Sequence, residues 1–166
     1  LDAGHRRLED NRAARAHATF RRVLGTRRVV AVIAGQSASS TLNEQLLSLY
    51  EESTINPLGG QPDALAVAPY FGRVYTPSDV DAASMSVDDL LDDAEALIET
   101  SVGADTRANR RVADKHGVDL IAYEAGQHLL AIGGLENDAA FVQRMIAANR
   151  HARMGQLYRK AHASWV

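Results

Sequence analysis

The chain has 166 residues, of which 46% are hydrophobic and 23% are charged, a balance typical of a soluble globular domain with a sizeable core. Its formal net charge of −3 provides no overall attraction to nucleic acid or to an anionic membrane surface, so we expect neither as a partner. The absence of cysteine excludes thiol nucleophiles, thiolate zinc sites and disulfides, and no apolar run approaches the roughly 20 residues that span a bilayer.

The first predicted element is a surface helix over residues 1–24. Its apolar stripe consists of Leu8, Ala16, Phe20 and Val23 or Leu24. Gly25 then ends the helical pattern. The arginines of the segment are interleaved with acidic residues such as Asp2 and Glu9, which favours a solvated helix face over a phosphate-binding patch.

The first predicted strand covers residues 28–34, a run of β-branched residues without polar alternation, as in parallel strands that are covered on both faces. It ends at Gly35. Residues 41–44 have the Thr-x-x-Glu spacing of a capping box and predict a helix that residues 56–60 then break. The predicted inward face of this helix consists of Leu42, Leu46, Leu49 and Tyr50.

The second predicted strand covers residues 63–68 and ends at Pro69, after which a loop extends to about Met85. Ser86 has the position of a helix N-cap, and an apolar stripe follows it. That stripe consists of Leu90, Leu91, Ala94, Leu97 and Ile98. We expect Gly103 to interrupt this helix before a second helical stretch that ends at His116.

The third predicted strand covers residues 118–123 and leads directly into Glu124. After a loop that contains a Gly-Gly pair, Asn137 or Asp138 has the position of the next helix N-cap. A last helix is predicted from the spacing of Met154, Leu157, Tyr158, Ala161 and Trp165.

Strands thus alternate with helices, and the connections are long enough for right-handed crossovers, so the predicted fold class is α/β with a parallel sheet. Three strands with exposed edges make a poor isolated domain, whereas a closed (β/α)8 barrel takes about 250 residues. We therefore expect residues 1–166 to be a single domain that forms part of a barrel. The rest of a longer chain, or a second chain, would complete the sheet.

Polar side chains at strand ends are the candidates for function, because ligands of parallel α/β folds bind beyond the carboxyl ends of the strands. The three predicted strands are followed there by Gln36, Tyr70 and Glu124. Glu124 is the strongest candidate, since a carboxylate directly after an apolar strand must be desolvated, paired or functional. A structural salt bridge is the alternative. Gly126 would permit close approach of a ligand and adds to the functional interpretation.

Four further residues near these ends are candidate substrate contacts. Phe71 and Tyr75 carry flat rings suited to a sugar, although packing is the commoner role of aromatic residues near strand ends. Gln127 and His128 could orient a hydroxyl group or the carboxylate, with structural hydrogen bonds as the alternative. No second histidine stands near His128 and the His-Glu-x-x-His pattern is absent, so we expect neither a metal nor another cofactor.

Three segments of the chain resemble the later part of bacterial glycoside hydrolases with a TIM-barrel fold. The segments are ALAVAPYFG at 64–72, AYEAGQH at 122–128, and AANR with RMGQLY across 147–158. The hydrolases are related to clan A, and some are labelled cellulose-binding proteins. The resemblance covers almost the whole chain, and its motifs are moderately specific.

The resemblance implies a partial (β/α)8 barrel in which the three strands correspond to the fifth, sixth and seventh of eight. Glu124 would be the nucleophile of a retaining hydrolase that acts on a polysaccharide or oligosaccharide, and Tyr70 would contact it. A secreted or periplasmic location is compatible with this family. Ala125 stands where relatives carry glycine, which leaves the carboxylate itself unaffected.

The general acid of such enzymes is a glutamate after the fourth strand, usually in an Asn-Glu context, and the resemblance places it before this chain. Retaining hydrolysis needs two carboxyl groups about 5 to 5.5 Å apart. Asp79 and Asp81 are nearest the right face, but their context predicts solvated turn residues. We therefore expect the acid to lie outside the chain and this piece alone to be inactive. The alternative is a non-catalytic carbohydrate-binding or scaffold protein with a barrel fold.

Overall fold

The fold is described from a computed structural model, which covers residues 3–79 and 84–165, with side chains from residue 12 onward. The chain divides into two compact units by its internal contacts. The first unit comprises Leu1–Ala68 and Arg107–Glu124, and the second comprises Pro69–Thr106 and Ala125–Val166. Each unit has its own parallel strands and its own core, so each is described separately.

The described chain is a mixture of helices and short strands. The helices are α1 (Ala3–Leu24), α2 (Ser40–Glu51), α3 (Val87–Leu97), α4 (Gly103–His116), α5 (Ala139–Arg150) and α6 (Ala152–Ala163). The strands are β1 (Val32–Ala34), β2 (Ala64–Val67), β3 (Tyr70–Phe71), β4 (Val74–Tyr75), β5 (Asp119–Ala122), β6 (Gly126–Gln127) and β7 (Leu130–Ala131). A π-helical segment, Ile98–Val102, joins α3 to α4, and a 3₁₀ turn, Leu135–Asn137, precedes α5.

The sheet of the first unit contains the three strands that the apolar runs predict. Its order is β1-β2-β5, and both pairings are parallel, with Ile33 beside Leu65 and Leu65 beside Leu120. Every residue of the central strand β2 is buried. This confirms the α/β class and the parallel pairing. No closed barrel is formed by the strands that the structure describes.

The outer strand β5 is less covered than its sequence predicts. Only Leu120 is buried in it, whereas Ile121 and, just beyond the strand, Tyr123 are 38% and 55% exposed. The edge position explains the difference, because β5 pairs on one side only. The description of Glu124 as following a buried strand is therefore wrong for this strand, although its place at the carboxyl end is confirmed.

The predicted start of α2 is also corrected. Ser39, and not Thr41, is the N-cap, and its hydroxyl accepts a hydrogen bond from the Leu42 amide at 3.4 Å. The inward face consists of Asn43, Leu47 and Tyr50, so it is rotated relative to the predicted leucine stripe. The consequence is that a polar side chain, Asn43, occupies a core position.

The helix that begins after Ser86 follows the prediction more closely. Ser86 and Asp89 form a reciprocal capping box, and the expected apolar stripe is buried except for Leu97, which is half-buried. Gly103 has ordinary helical torsion angles, so the predicted break at this glycine is wrong. The irregularity lies just before it, in the π-helical segment Ile98–Val102.

The second unit contains two parallel strand pairs, β3 with β6 and β4 with β7. Both β3 and β4 lie in the segment that the sequence predicts as a loop. Beneath them, side chains from α3, α5, α6 and the π segment form a core. Its members include Phe71, Tyr75, Leu90, Leu91, Ala94, Phe141, Met154 and Leu157. Two-residue strands give too short a pattern for their alternation to be recognised in sequence.

A network of ion pairs on the surface of the second unit joins α6 to α3 and the π segment. Arg153 contacts Asp92 and Glu95 at 2.5 Å each, and Lys160 contacts Glu95 at 2.9 Å and also Glu99. The hydrogen bond from Arg153, followed by that from Lys160, lowers the pKa of the Glu95 carboxyl. Glu95 is shared by both cations and is the centre of this network.

We expect Glu95→Gln to reduce the melting temperature at pH 7 and to have little effect at pH 3. A carboxyl whose pKa is lowered on folding stabilises the fold above its unfolded pKa, and this contribution disappears as pH falls through the folded value. Thermal melts of both proteins between pH 3 and pH 8 measure the effect. A difference between the two proteins that stays constant over this range would contradict the assignment.

Candidate active site

Two of the predicted site residues lie at the same edge of the sheet in the first unit. Gln36 is two residues beyond β1 and Glu124 is two residues beyond β5, and both side chains are exposed. The central strand β2 separates them, so two strand spacings place their backbones roughly 10 Å apart.

The Glu124 carboxylate is accessible and unpaired within its unit. No described residue of the first unit donates a hydrogen bond to it or forms an ion pair with it. The salt-bridge alternative from the sequence therefore has no partner among these residues. An exposed carboxylate of this kind is available to a ligand without first breaking a structural bond.

The other acids of the first unit whose side chains the structure describes are differently placed. They lie on helices, at a helix end or at the start of a strand: Glu44, Glu51, Glu52, Asp63, Asp114 and Asp119. Lys115, which donates a hydrogen bond to Glu44 at 2.6 Å, lowers the pKa of that carboxyl, whereas a general acid needs a raised pKa. Within the described part of this unit, Glu124 is the one carboxylate at the carboxyl edge of the sheet.

The turn that carries Gln36 is held by two buried amide side chains, Asn43 from α2 and Asn109 from α4, both fully inaccessible to solvent. Asn43 accepts a hydrogen bond from the Gln36 amide at 2.9 Å and donates one to the Gln36 carbonyl at 2.8 Å. Asn43 also donates to Asn109 at 2.6 Å, and Asn109 donates to the Ser37 carbonyl at 2.7 Å. The backbone after β1 is thus fixed from within the core.

Gly35 is the position at which this arrangement needs a glycine. A Cβ atom there would overlap the Asn43 carboxamide, lying 2.8 Å from its Cγ and 2.9 Å from Leu65 Cδ1. The Gly35 amide donates to the Ala66 carbonyl at 2.8 Å. A shift of the Gly35 backbone away from Asn43 would therefore break a hydrogen bond of the sheet. The glycine therefore permits the close approach of Asn43 to the strand end.

Asn43 and Asn109 were not predicted from the sequence, because only polar residues directly after the strands were considered as candidates for the site. A signal for Asn109 was present in the chain. Thr106, Asn109 and Ala113 recur at helical spacing, and all three are buried. A polar residue on the inward stripe of a predicted helix is the pattern that indicates such a network.

Tyr70 and His128 come together in the second unit. Their ring centroids lie 5.0 Å apart with an interplanar angle of 31°, and Tyr70 is 38% exposed. The structure thus brings together two of the predicted site residues, Tyr70 at the start of β3 and His128 directly after the neighbouring strand β6.

Gln127 makes structural hydrogen bonds in the same unit. Its side-chain oxygen accepts from the Leu129 amide at 2.9 Å, and its backbone amide donates to the Tyr158 hydroxyl at 3.3 Å. Gly126 has a φ of 140°, and a Cβ atom there would lie 3.1 Å from that hydroxyl. Tyr158 therefore occupies the space beside this glycine. The backbone amide and the side-chain oxygen of Gln127 both form hydrogen bonds within the unit.

Phe71 and Tyr75, which the sequence offers as sugar contacts, lie in the core of the second unit. The Phe71 ring meets the edge of Tyr158 with centroids 5.2 Å apart, and the Tyr75 ring meets Phe141 at 5.5 Å. The Tyr75 hydroxyl donates to Asp93 at 3.2 Å, and burial raises its pKa. We therefore leave both rings out of the proposed site.

Tyr75→Phe is expected to lower the free energy of unfolding by about 1 kcal/mol, because one partly buried hydrogen bond is lost while the ring packing stays. Chemical denaturation measures this loss. The matched control is Tyr123→Phe, which changes an exposed ring and should leave stability within about 0.5 kcal/mol of the unaltered protein. Equal stability of the Tyr75→Phe variant and the unaltered protein would contradict a stabilising hydrogen bond from Tyr75 to Asp93.

Asp79, the loop acid that the structure describes, does not have the properties of a general acid. Asp79 accepts a hydrogen bond from the Thr76 amide at 2.5 Å, which lowers its pKa, and it pairs with Arg73. This confirms its place in a turn but not the predicted solvation, since its side chain is only 21% exposed and is paired with Arg73. Asp81 lies outside the described residues.

No group of three or more His, Asp or Glu side chains among the described residues is arranged to hold a metal ion. No described helix is both long and apolar enough to cross a bilayer.

Comparison of the chain with models of protein families, with curated proteins and with solved structures found no match. The resemblance to glycoside hydrolases therefore rests on the three quoted segments alone.

Proposed function

We propose that this chain carries the nucleophile of a retaining glycoside hydrolase that acts on a polysaccharide or oligosaccharide, and that Glu124 is this nucleophile. The observation that carries the proposal is the exposed Glu124 carboxylate, which follows β5 at the carboxyl edge of a parallel sheet and has no ionic partner within its unit. Functional carboxylates of parallel α/β folds occur at this edge. The resemblance of residues 122–128 to the hydrolase segment adds support.

In the proposed reaction, the Glu124 carboxylate attacks the anomeric carbon while the bond to the leaving oxygen breaks, forming a glycosyl ester. A second carboxyl group donates its proton to the leaving oxygen. That group then removes a proton from water, and the oxygen of this water displaces Glu124 from the anomeric carbon. We propose that the second carboxyl lies outside this sequence, because no other described acid of the first unit lies at this edge.

Gln36 is proposed to contact the sugar from the opposite side of β2. A carboxamide donates and accepts hydrogen bonds, which matches a neutral hydroxyl group that does both. Within the second unit, taken by itself, Tyr70 and His128 are proposed to contact a sugar, since a partly exposed aromatic pair offers a flat apolar face with polar edges. We propose that the rest of a barrel, from a longer chain or a second chain, covers the exposed edge of β5.

Hydrolysis assays on a panel of plant and microbial polysaccharides test the proposal, with the full-length protein and its Glu124→Gln variant measured side by side. Release of reducing ends by the unaltered protein, and its loss in the variant, is the expected result. Equal release by both proteins would remove Glu124 from the mechanism.

The second candidate function is carbohydrate binding without turnover. It is favoured by one observation, namely that Glu124 has no second carboxylate at its edge among the described residues of its unit. Calorimetry with oligosaccharides would then detect binding while no product forms. Release of reducing ends that depends on Glu124 would exclude this second function.

A further inference from the structure

We infer that Asn43 and Asn109 are positioning residues, which hold Gln36 in place for a hydrogen bond to a substrate hydroxyl group. This inference rests on the proposed function, because it assigns the two asparagines a role in sugar binding at the edge that carries Glu124. Neither asparagine would touch the substrate, since both side chains are inaccessible.

The groups to which the two asparagines are hydrogen-bonded give the first support for this inference. Burying two carboxamides is unfavourable unless their polar atoms are paired. Four of their hydrogen bonds join Asn43 to the Gln36 amide and to the Gln36 carbonyl, Asn109 to the Ser37 carbonyl, and Asn43 to Asn109. Three of these four fix one short turn, and one joins the two helices that supply the amides.

The position of that turn is the second argument. Asn43 holds both polar groups of the Gln36 backbone, so the Cα atom of Gln36 has a fixed place while its side chain projects into solvent. A side chain that is exposed on a rigidly held backbone loses less entropy on binding than one on a loose loop. The arrangement is suited to a residue that binds a ligand at the carboxyl edge of the sheet.

The close contact at Gly35 is the third argument. The chain places a glycine where any side chain would displace Asn43, so the amide and the strand end are packed against each other. An apolar residue at position 43 could fill the same volume, but it would leave the Gln36 amide without this partner. The local sequence therefore favours the asparagine in spite of its burial cost.

A double-mutant cycle in the full-length protein tests the inference. The variants are Gln36→Ala, Asn109→Asp and the combination, and calorimetry measures their dissociation constants for soluble cello-, xylo- and malto-oligosaccharides. Asn109→Asp keeps the size of the side chain but removes the donor to Ser37. We expect each single change to weaken binding about 10-fold, as for one neutral hydrogen bond, and the combination to weaken it no further than about 10-fold.

Additive effects, near 100-fold in the combination, would overturn the inference. If Asn109 acts on binding only through Gln36, then Asn109→Asp should not weaken binding further once the Gln36 side chain is removed. Unchanged binding by a folded Asn109→Asp variant would overturn it as well. Failure of the unaltered protein to bind any of the three oligosaccharide classes would instead defeat the proposed function, and this inference with it.

Amide hydrogen exchange of the unaltered protein provides a test that needs no substitution. Since its amide donates to a buried side chain, Gln36 should exchange at least about 100-fold more slowly than an unprotected residue in a flexible loop. Exchange at the rate of an unprotected amide would overturn the positioning role even if Asn109→Asp fails to fold.

Discussion

Replacing Glu124 by glutamine in the full-length protein is expected to lower kcat/KM for its polysaccharide substrate by at least about 1000-fold. The amide has the shape of the carboxylate but is a far weaker nucleophile, so a glycosyl ester can no longer form at a useful rate. A loss of this size corresponds to about 4 kcal/mol of transition-state stabilisation. Initial rates of reducing-end release over a range of substrate concentrations measure it.

The matched control is Glu99→Gln, which makes the same chemical change at an exposed glutamate that pairs with Lys160 in the surface network. It should leave kcat/KM within about two-fold, because surface ion pairs contribute little to stability and Glu99 has no role in the proposed site. A comparable loss in both variants would mean that the effect of Glu124→Gln is not specific to the nucleophile.

Chemical rescue separates a missing nucleophile from a damaged fold. Glu124→Gly removes the side chain and leaves space in which azide can attack the anomeric carbon as the bond to the leaving oxygen breaks. Turnover of an activated aryl glycoside by this variant should therefore rise with azide and yield a glycosyl azide. Azide that has no effect on a folded Glu124→Gly variant would count against a role of Glu124 as nucleophile.

Gly35→Ala is expected to lower the free energy of unfolding by about 3 kcal/mol, the largest effect we predict for the removal of a single glycine. The added methyl group overlaps the Asn43 carboxamide and approaches Leu65 Cδ1. Relief requires Asn43 to move, which breaks its buried hydrogen bonds to Gln36 and Asn109. Urea denaturation, followed by circular dichroism, measures the change.

Gly60→Ala is the control for this substitution. The new methyl group at position 60 would lie 3.6 Å from its nearest neighbour, the end of the flexible Arg21 side chain, which is an ordinary contact. Its stability should stay within about 0.5 kcal/mol of the unaltered protein. If the two alanine variants are equally stable, the tight packing of Asn43 against the end of β1 is contradicted.

The predictable part of the fold is the part governed by hydrophobic burial. Continuous apolar runs identified β1, β2 and β5, because a central parallel strand such as β2 has both faces covered and tolerates no polar alternation. The same reasoning overestimated the burial of β5, since composition does not reveal which strand lies at a sheet edge. Edge position depends on pairing with other segments and is not encoded within the strand itself.

Local capping signals were predictable only where no competing residue was near. The Ser86 capping box was recognised because a serine preceded the apolar stripe at the correct spacing. At α2, several serine and threonine residues in succession offered alternative caps, and Ser39 takes the role assigned to Thr41. Asn43 then bonds to the turn instead of facing solvent, which rotates the buried face of the helix.

The places of Glu124 and Gln36 at the carboxyl edge of the sheet were predictable from the sequence, but the side chains that hold the Gln36 turn were not. Glu124 and Gln36 stand directly after apolar runs, so the general rule for parallel sheets located both. Asn43 and Asn109 lie 66 positions apart in the chain, and only the folded structure brings their amides to 2.6 Å. The place of Asn109 on the inward stripe of its helix, with Thr106 and Ala113, indicates a buried polar contact, but a single sequence does not reveal that Asn43 is the partner.

Mass spectrometry of a trapped intermediate tests the central claim most directly. The full-length protein would be incubated with activated 2-deoxy-2-fluoro glycosides that represent its substrate class, digested, and its peptides sequenced. We predict a single sugar ester, attached to the Glu124 side chain. An ester on a different carboxylate, or rapid turnover of the natural substrate with no covalent species trapped, would contradict the assignment of Glu124 as the nucleophile.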